Sequence, residues 1–141
     1  MADDAEFRAF VVARWASLVG TAFLITADRG TAEDCVQEAL ARVHRRWRRF
    51  GPDDVPSAYA HRAVVNAALS WKRRRRIAEV PLDAAPAPAT APPEEGLDPE
   101  LLAALRSLPP RMRAAVVLRY LEDRSEAETA RLMGCSEGAV K

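Results

Sequence analysis

The side chains able to do chemistry in this sequence sit at helical spacings, and their types suit recognition rather than bond-making. Tyr59, Arg62 and Asn66 are three and four residues apart, so one helix face would offer a ring, a cation and a bidentate amide. Glu33, Asp34, Gln37 and Glu38 stand together off the apolar positions of their segment and would make an acidic surface patch. Lys72, Arg73, Arg74, Arg75 and Arg76 are successive cations that cannot all face one side. A polyanion relieves their mutual repulsion; a solvated helix end, where cations suit the dipole, is the plainer reading. His44 and His61 are the only histidines, and neither has a Cys or Asp nearby at ligand spacing. With no Gly-rich phosphate loop and nothing like a nucleophile elbow, neither an enzyme nor a cofactor or metal site is expected. Cys35 and Cys135 read as buried or spare thiols.

The final stretch, "ARLMGCSEGAVK", carries a second signal. Ser125 and Glu128 have the Ser-x-x-Glu spacing of a capping box that opens the helix "EAETARLM". Ala130 is the small residue where two helices would cross, Gly134 suits a turn with positive φ, and Val140 would anchor a second helix inward. Ser136 would cap that helix, while Glu137, Gly138 and Lys141 would project from the side that enters a major groove in helix-turn-helix proteins. Ordinary bundles also contain Ser-capped pairs of short helices, and about five residues are too few to hold a helix alone.

Helices must position these groups, since no alternating strand pattern of useful length occurs. Gly and Pro divide the chain once, at residues 80–99, which hold six of the ten prolines. Before the division, Phe7, Val11, Trp15, Leu18, Ala22 and Ile25 form one apolar stripe. Thr31 reads as the N-cap of the next helix, with Glu33 and Asp34 in its first turn and Val36, Leu40, Val43, Trp47 and Phe50 inward. A third helix starts near Ser57. Beyond the division, Asp98 and Pro99 open a helix with Leu101, Leu102, Leu105 and Leu108 inward. Pro109 and Pro110 bend the chain, and Met112, Ala115, Val116 and Tyr120 are the expected buried set of the helix that follows.

At 141 residues, 49% hydrophobic and 29% charged, the composition is globular rather than disordered. No run approaches the ~20 apolar residues of a bilayer span, and the acidic "MADDAEFR" is unlike a secretory signal. A cytoplasmic address without membrane insertion is expected. The net charge of +1 hides an uneven layout. Residues 1–40 carry three Arg against seven acids, residues 41–76 eleven Lys or Arg against Asp53 and Asp54, and residues 81–141 seven cations against ten acids. The middle block is where a polyanion would settle.

In order and spacing, "GTAEDCVQEALARVHRRWRRF", "PSAYAHRAVVNAALSWKRRRR", a Pro-rich linker and "LRSLPPRMRAAVVLRYLEDRSEAETARLMGCSEGAVK" resemble the extracytoplasmic-function group of bacterial RNA polymerase sigma factors, most closely its actinobacterial members. The resemblance implies an all-α fold of two small helical domains. Region two would be a three- to four-helix bundle over residues 1–79, a Pro/Ala-rich linker would span 80–97, and region four would be a helix-turn-helix over 98–141. It implies a protein that directs the polymerase core to promoters and assists strand opening in transcription initiation. Glu33, Asp34, Gln37 and Glu38 then correspond to the surface that docks on the clamp coiled coil of the largest polymerase subunit; an acidic first turn serving only the helix dipole is the alternative.

The segment "FGPDDVPS" and the helix after it correspond, by the same resemblance, to the reader of the minus-ten element, which holds a base flipped from the non-template strand. Tyr59, Arg62 and Asn66 are its implied contacts; Asn66 matches a family motif position, whereas Tyr59 and Trp71 also fit the core. Lys72, Arg73, Arg74, Arg75 and Arg76 are implied phosphate contacts, and the group from Arg42 to Arg49 divides among polymerase, DNA and solvent. Ser136, Glu137, Gly138 and Lys141 are assigned to the minus-thirty-five element. There the sequence departs from the family pattern: the recognition helix stops at Lys141, and Glu137 stands where many relatives have an uncharged residue. The expectation is a chain truncated in region four, without a complete reader of the upstream element. Members of the group are commonly held inactive by an anti-sigma factor, which is an implied partner. A dimeric helix-turn-helix repressor without polymerase binding is the competing function; it requires a dimer interface or effector pocket, and the sequence shows neither.

Overall fold

A 25-residue helix, α1 (Ala2–Thr26), begins the computed structural model, which describes residues 2–77 and 98–140 and, for residues 2, 3 and 72–77, the backbone alone. Its stripe packs as spaced: Leu18, Ala22 and Ile25 are buried, and Phe7, Val11 and Trp15 partly so. Ala27 then adopts a left-handed φ of 65° and turns the chain into α2 (Arg29–Arg46). The expected cap, Thr31, is corrected here. Asp28 is the N-cap, its Oδ2 accepting from the Thr31 amide at 2.8 Å and from the Thr31 hydroxyl at 2.7 Å. A carboxylate three residues earlier is the stronger acceptor for an orphan amide, and the threonine hydroxyl becomes its second donor.

The inner side of α2 consists of Ala32, Cys35, Val36, Ala39, Leu40 and Val43. One 3₁₀ turn, Trp47–Arg49, follows it, and then α3 (Pro56–Ile77). Ala60, Ala63, Ala67 and Ala68 are buried on α3 beside Val64 and Val65, small side chains that let three helices pack closely. Phe7, Trp47, Phe50 and Tyr59 form a chain of edge-on rings at one end, with centroids 5.3, 6.0 and 5.5 Å apart in succession.

The second module opens with α4 (Pro99–Arg106), capped by Asp98, whose Oδ1 accepts from the Glu100 amide at 3.0 Å. Leu105 is buried, Leu102 and Leu108 are partly buried, and Leu101 is exposed. After Pro109 comes α5 (Pro110–Val116), which continues into a π turn, Val117–Leu121. The buried set expected on this helix is overturned. Met112 and Tyr120 are 57% and 73% exposed, and Ala115 and Val116 only partly covered, while Arg113, Ala114, Val117 and Leu118 lie inside. The helix turns this other side toward α1 and α3, and Ala114, Leu118 and Met133 join the core of the first module. Local periodicity holds no information about that long-range choice.

Two short helices finish the described chain: α6 (Glu126–Met133), which starts with both reciprocal hydrogen bonds of the Ser125–Glu128 capping box, and α7 (Glu137–Val140). No strand occurs among the described residues, and the fold is all-α. The linker expected over 80–97 lies outside the described residues. The expectation that no run reaches span length is corrected: residues 4–26 are long and apolar enough to cross a bilayer by length and composition. Core helices of soluble proteins meet the same criterion, and here Leu18, Val19, Ala22, Phe23 and Ile25 are used for packing between helices.

Candidate functional site

After Arg29, the outer side of α2 is acidic from Glu33 to Glu38 and arginine-rich from Arg42 on. Glu33 pairs with Arg29 at 3.3 Å and Glu38 with Arg42 at 3.7 Å, while Asp34 and Gln37 are exposed between them. Because the helix begins at Arg29, Glu33 and Asp34 lie beyond its first turn, where attraction to the dipole has fallen off. Toward the other end, Arg42, Arg45, Arg46 and Arg49 wall an open cleft completed by Tyr59 of α3. The Arg46 guanidinium stands 5.0 Å from the Tyr59 ring centroid and 5.9 Å from that of Phe50.

Arg62 and Asn66 are exposed on α3, and Tyr59 shares their face as its spacing requires. Tyr59 is held edge-on to Phe50 and beneath Arg46, partly buried against the core with one side at the basic cleft. Trp71 packs against the core. The backbone of α3 continues through Lys72, Arg73, Arg74, Arg75 and Arg76, but their side chains lie outside the described residues, as does Lys141. In the loop before α3, Asp54 Oδ2 accepts from the Gly51 amide at 2.6 Å and closes a tight turn.

At the helix-turn-helix, Ala130 is buried and Gly134 takes φ 69°, the conformation anticipated for the turn. The Cys135 amide donates to the Ala130 carbonyl at 3.0 Å. Ser136 Oγ accepts from the Ala139 amide at 3.2 Å, capping α7. Glu137 and Gly138 are exposed, and Val140, expected to be buried, is half-buried beside Met133, Cys135 and Ala139.

Four polar residues that sequence reasoning missed, or left without a partner, join the modules. The Glu122 carboxylate accepts from Thr21 Oγ1 of α1 and sits 2.7 Å from His61 Nε2 of α3, with Arg124 Nε at 4.0 Å. Burial pushes the Glu122 carboxyl up, but the hydrogen bonds from His61 and Thr21, and the attraction of His61 and Arg124, outweigh it and hold the group below the usual range. Arg113 is buried, and its guanidinium donates to the carbonyls of Leu105 at 2.8 Å, Leu108 at 2.9 Å, Arg106 at 3.5 Å and, across the modules, Ile25 at 2.7 Å. Burial, and then the nearby Arg106, lower its pKa. The available sequence signal was an arginine set among apolar residues in "RMRAAVVL".

These features define a class, an all-α protein of two modules, the second carrying a helix-turn-helix. Residues 11–77 match the family described as Sigma-70 region 2, and residues 99–141 match Sigma-70, region 4. An RNA polymerase sigma-E factor of Streptomyces coelicolor is 36% identical over 143 residues, which cover 100% of this chain and 81% of the relative. The ECF RNA polymerase sigma factor SigM of Mycobacterium tuberculosis is 40% identical over 113 residues, covering 78% and 57%. Among solved structures, the sigma factor RpoE in complex with the anti-sigma factor NepR from Bartonella quintana shares the fold, with a TM-score of 0.67 over 96% of this chain and 87% of that one at 22% identity. The chain belongs to the extracytoplasmic-function group of RNA polymerase sigma factors.

Proposed function

We propose that this sigma factor docks on the polymerase core through Glu33, Asp34, Gln37 and Glu38, and holds minus-ten DNA on the face of Tyr59, Arg62 and Asn66. The carrying observation is the charge layout of α2, acidic from Glu33 to Glu38 and arginine-rich from Arg42 to where it meets α3. An acidic shoulder suits a basic protein surface, and a basic cleft with an aromatic wall suits an unpaired strand, which is held by phosphate attraction and base stacking. Lys72, Arg73, Arg74, Arg75 and Arg76 extend the cationic track, since they continue α3. In region four, Glu137, Gly138 and Lys141 face the upstream element, and Ser136 acts by capping α7. An anti-sigma factor is the regulatory partner, as in the RpoE–NepR pair that shares the fold. Co-purification with core polymerase tests the docking surface. Reversing charge with Asp34→Lys and Glu38→Lys should weaken binding by tenfold or more, on the order of 1.4 kcal/mol; unchanged binding would remove the assignment.

A further inference from the structure

We propose that the groove between α3 and α6 binds a nucleoside monophosphate, with Arg62, Arg124 and Arg131 on the phosphate and Ala58, Tyr59 and Leu132 beneath the base. These six residues line one concavity of about 340 Å³. The site goes beyond the minus-ten reading, in which Arg124, Arg131 and Leu132 have no part. Its arginines come from separate places in the chain, Arg62 from α3, Arg124 from the loop before α6 and Arg131 from α6 itself. Their donors lack acceptors. Arg62 and Arg131 are exposed, with no carboxylate partner among the described residues. Arg124 is partly buried, its Nη1 3.9 Å from Glu128 and its Nε 4.0 Å from Glu122, both beyond hydrogen-bond reach. That Nε is buried without a hydrogen-bond partner. A guanidinium is all donor and no acceptor, and leaving one unmatched in a partly buried place is costly. A phosphate monoester supplies the missing chemistry, acceptor oxygens carrying roughly two negative charges.

Glu128 is the one carboxylate among the described residues of the lining, and it is already engaged. Its Oε1 accepts from the Ser125 amide at 3.2 Å in the capping box, and its Oε2 faces Arg124. The three guanidiniums outnumber it and leave the groove positive. His61 lines the groove too, but its Nε2 is taken by Glu122 at 2.7 Å. Size and surface then select the body that carries the phosphate. A volume of about 340 Å³ lies at the lower end of small-molecule sites, roughly 300–1,000 Å³, room for a mononucleotide and too little for a strand. Ala58, Leu132 and the Tyr59 ring make its floor apolar. A nucleobase presents a flat face that stacks on such a surface whatever its identity. One wall belongs to each module, so a bound nucleotide stabilises the assembled chain by mass action.

Calorimetric titration of the full chain at one low salt concentration tests the site with adenosine monophosphate, ribose phosphate and inorganic phosphate. The nucleotide should bind about fivefold or more tighter than ribose phosphate, through stacking of its base, and tighter again than inorganic phosphate. Arg62→Gln and Arg131→Gln, both at exposed positions, should each weaken nucleotide binding about tenfold with helical circular dichroism unchanged, as loss of a charge-assisted hydrogen bond requires. Arg45→Gln, in the cleft of α2, should change it by less than about twofold, the effect of a distant exposed charge. Saturating nucleotide should raise the melting temperature by about 2 °C or more. Equal affinity for the nucleotide and inorganic phosphate overturns the proposal, as does affinity that survives both groove substitutions or falls instead with Arg45→Gln. A phosphoserine peptide that binds tighter than the nucleotide through Arg62 and Arg131 overturns it too, and makes the groove a docking site for protein.

Discussion

Arg113 places a charge where helix ends converge, and its value lies in the carbonyls it satisfies. Removing the guanidinium by Arg113→Met takes the donor from the carbonyls of Ile25 and Leu108 and leaves that of Leu105 with the Leu108 amide alone. Chemical unfolding should show a loss of about 3 kcal/mol or more, a larger loss than for an exposed arginine such as Arg111→Met. Glu122 gives a pH signature. A carboxyl whose folded pKa lies below its unfolded value stabilises fully above the unfolded value, and that contribution vanishes as pH falls through the folded one. Thr21, His61 and Arg124 face the group and favour its charged form. Melting temperatures of wild type and Glu122→Gln should differ at neutral pH and converge below about pH 4; a constant gap down to pH 3 would contradict the charged pairing. Neither residue's role was legible in the sequence. Glu122 and His61 are 61 positions apart, and no local pattern links them. Gly134, by contrast, was legible, because its positive φ is a demand made by the chain around it.

At the scale of elements, sequence signals were reliable where a helix answers to its own neighbours. The Ser125–Glu128 box, the Asp98–Pro99 start and the stripes of α1 and α2 are all present. They fail where a helix has two sides apolar enough to bury. The segment after Pro110 offers Met112, Ala115, Val116 and Tyr120 on one side and Ala114, Val117 and Leu118 on the other, and docking on α1 and α3 selects the second. The start of α2 is a smaller case, in which the cap is Asp28, three residues before the expected Thr31. Asp28→Ala removes the acceptor of both Thr31 bonds and should cost about 1–2 kcal/mol in thermal or urea unfolding. Glu33→Ala should change stability by about 0.5 kcal/mol or less, the value of an exposed i,i+4 pair with Arg29. A reversed ranking would return the acidic patch to a capping role and take away its reason to be reserved for a partner.

For the whole molecule, a shared core makes the two modules one thermodynamic unit. Ala114, Leu118 and Met133 pack into the cluster built by α1, α2 and α3, and the polar contacts of Glu122 and Arg113 lie along the same seam. The sequence placed its only strong division at residues 80–99 and so suggested two independent domains; the apolar side of α5 that joins them is visible only once the helices are assembled. The tryptophans provide a way to see the coupling. All three, Trp15, Trp47 and Trp71, belong to the first module, so their fluorescence reports on it alone, whereas far-ultraviolet circular dichroism reports on every helix. Coincident urea transitions by the two probes are expected for wild type, as for any single cooperative unit. With Glu122→Gln the dichroism curve should broaden and begin at lower urea than the fluorescence curve, because the smaller second module loses its support before the three-helix bundle yields. Separate transitions already in the wild type would mean that the seam contributes too little to couple the modules.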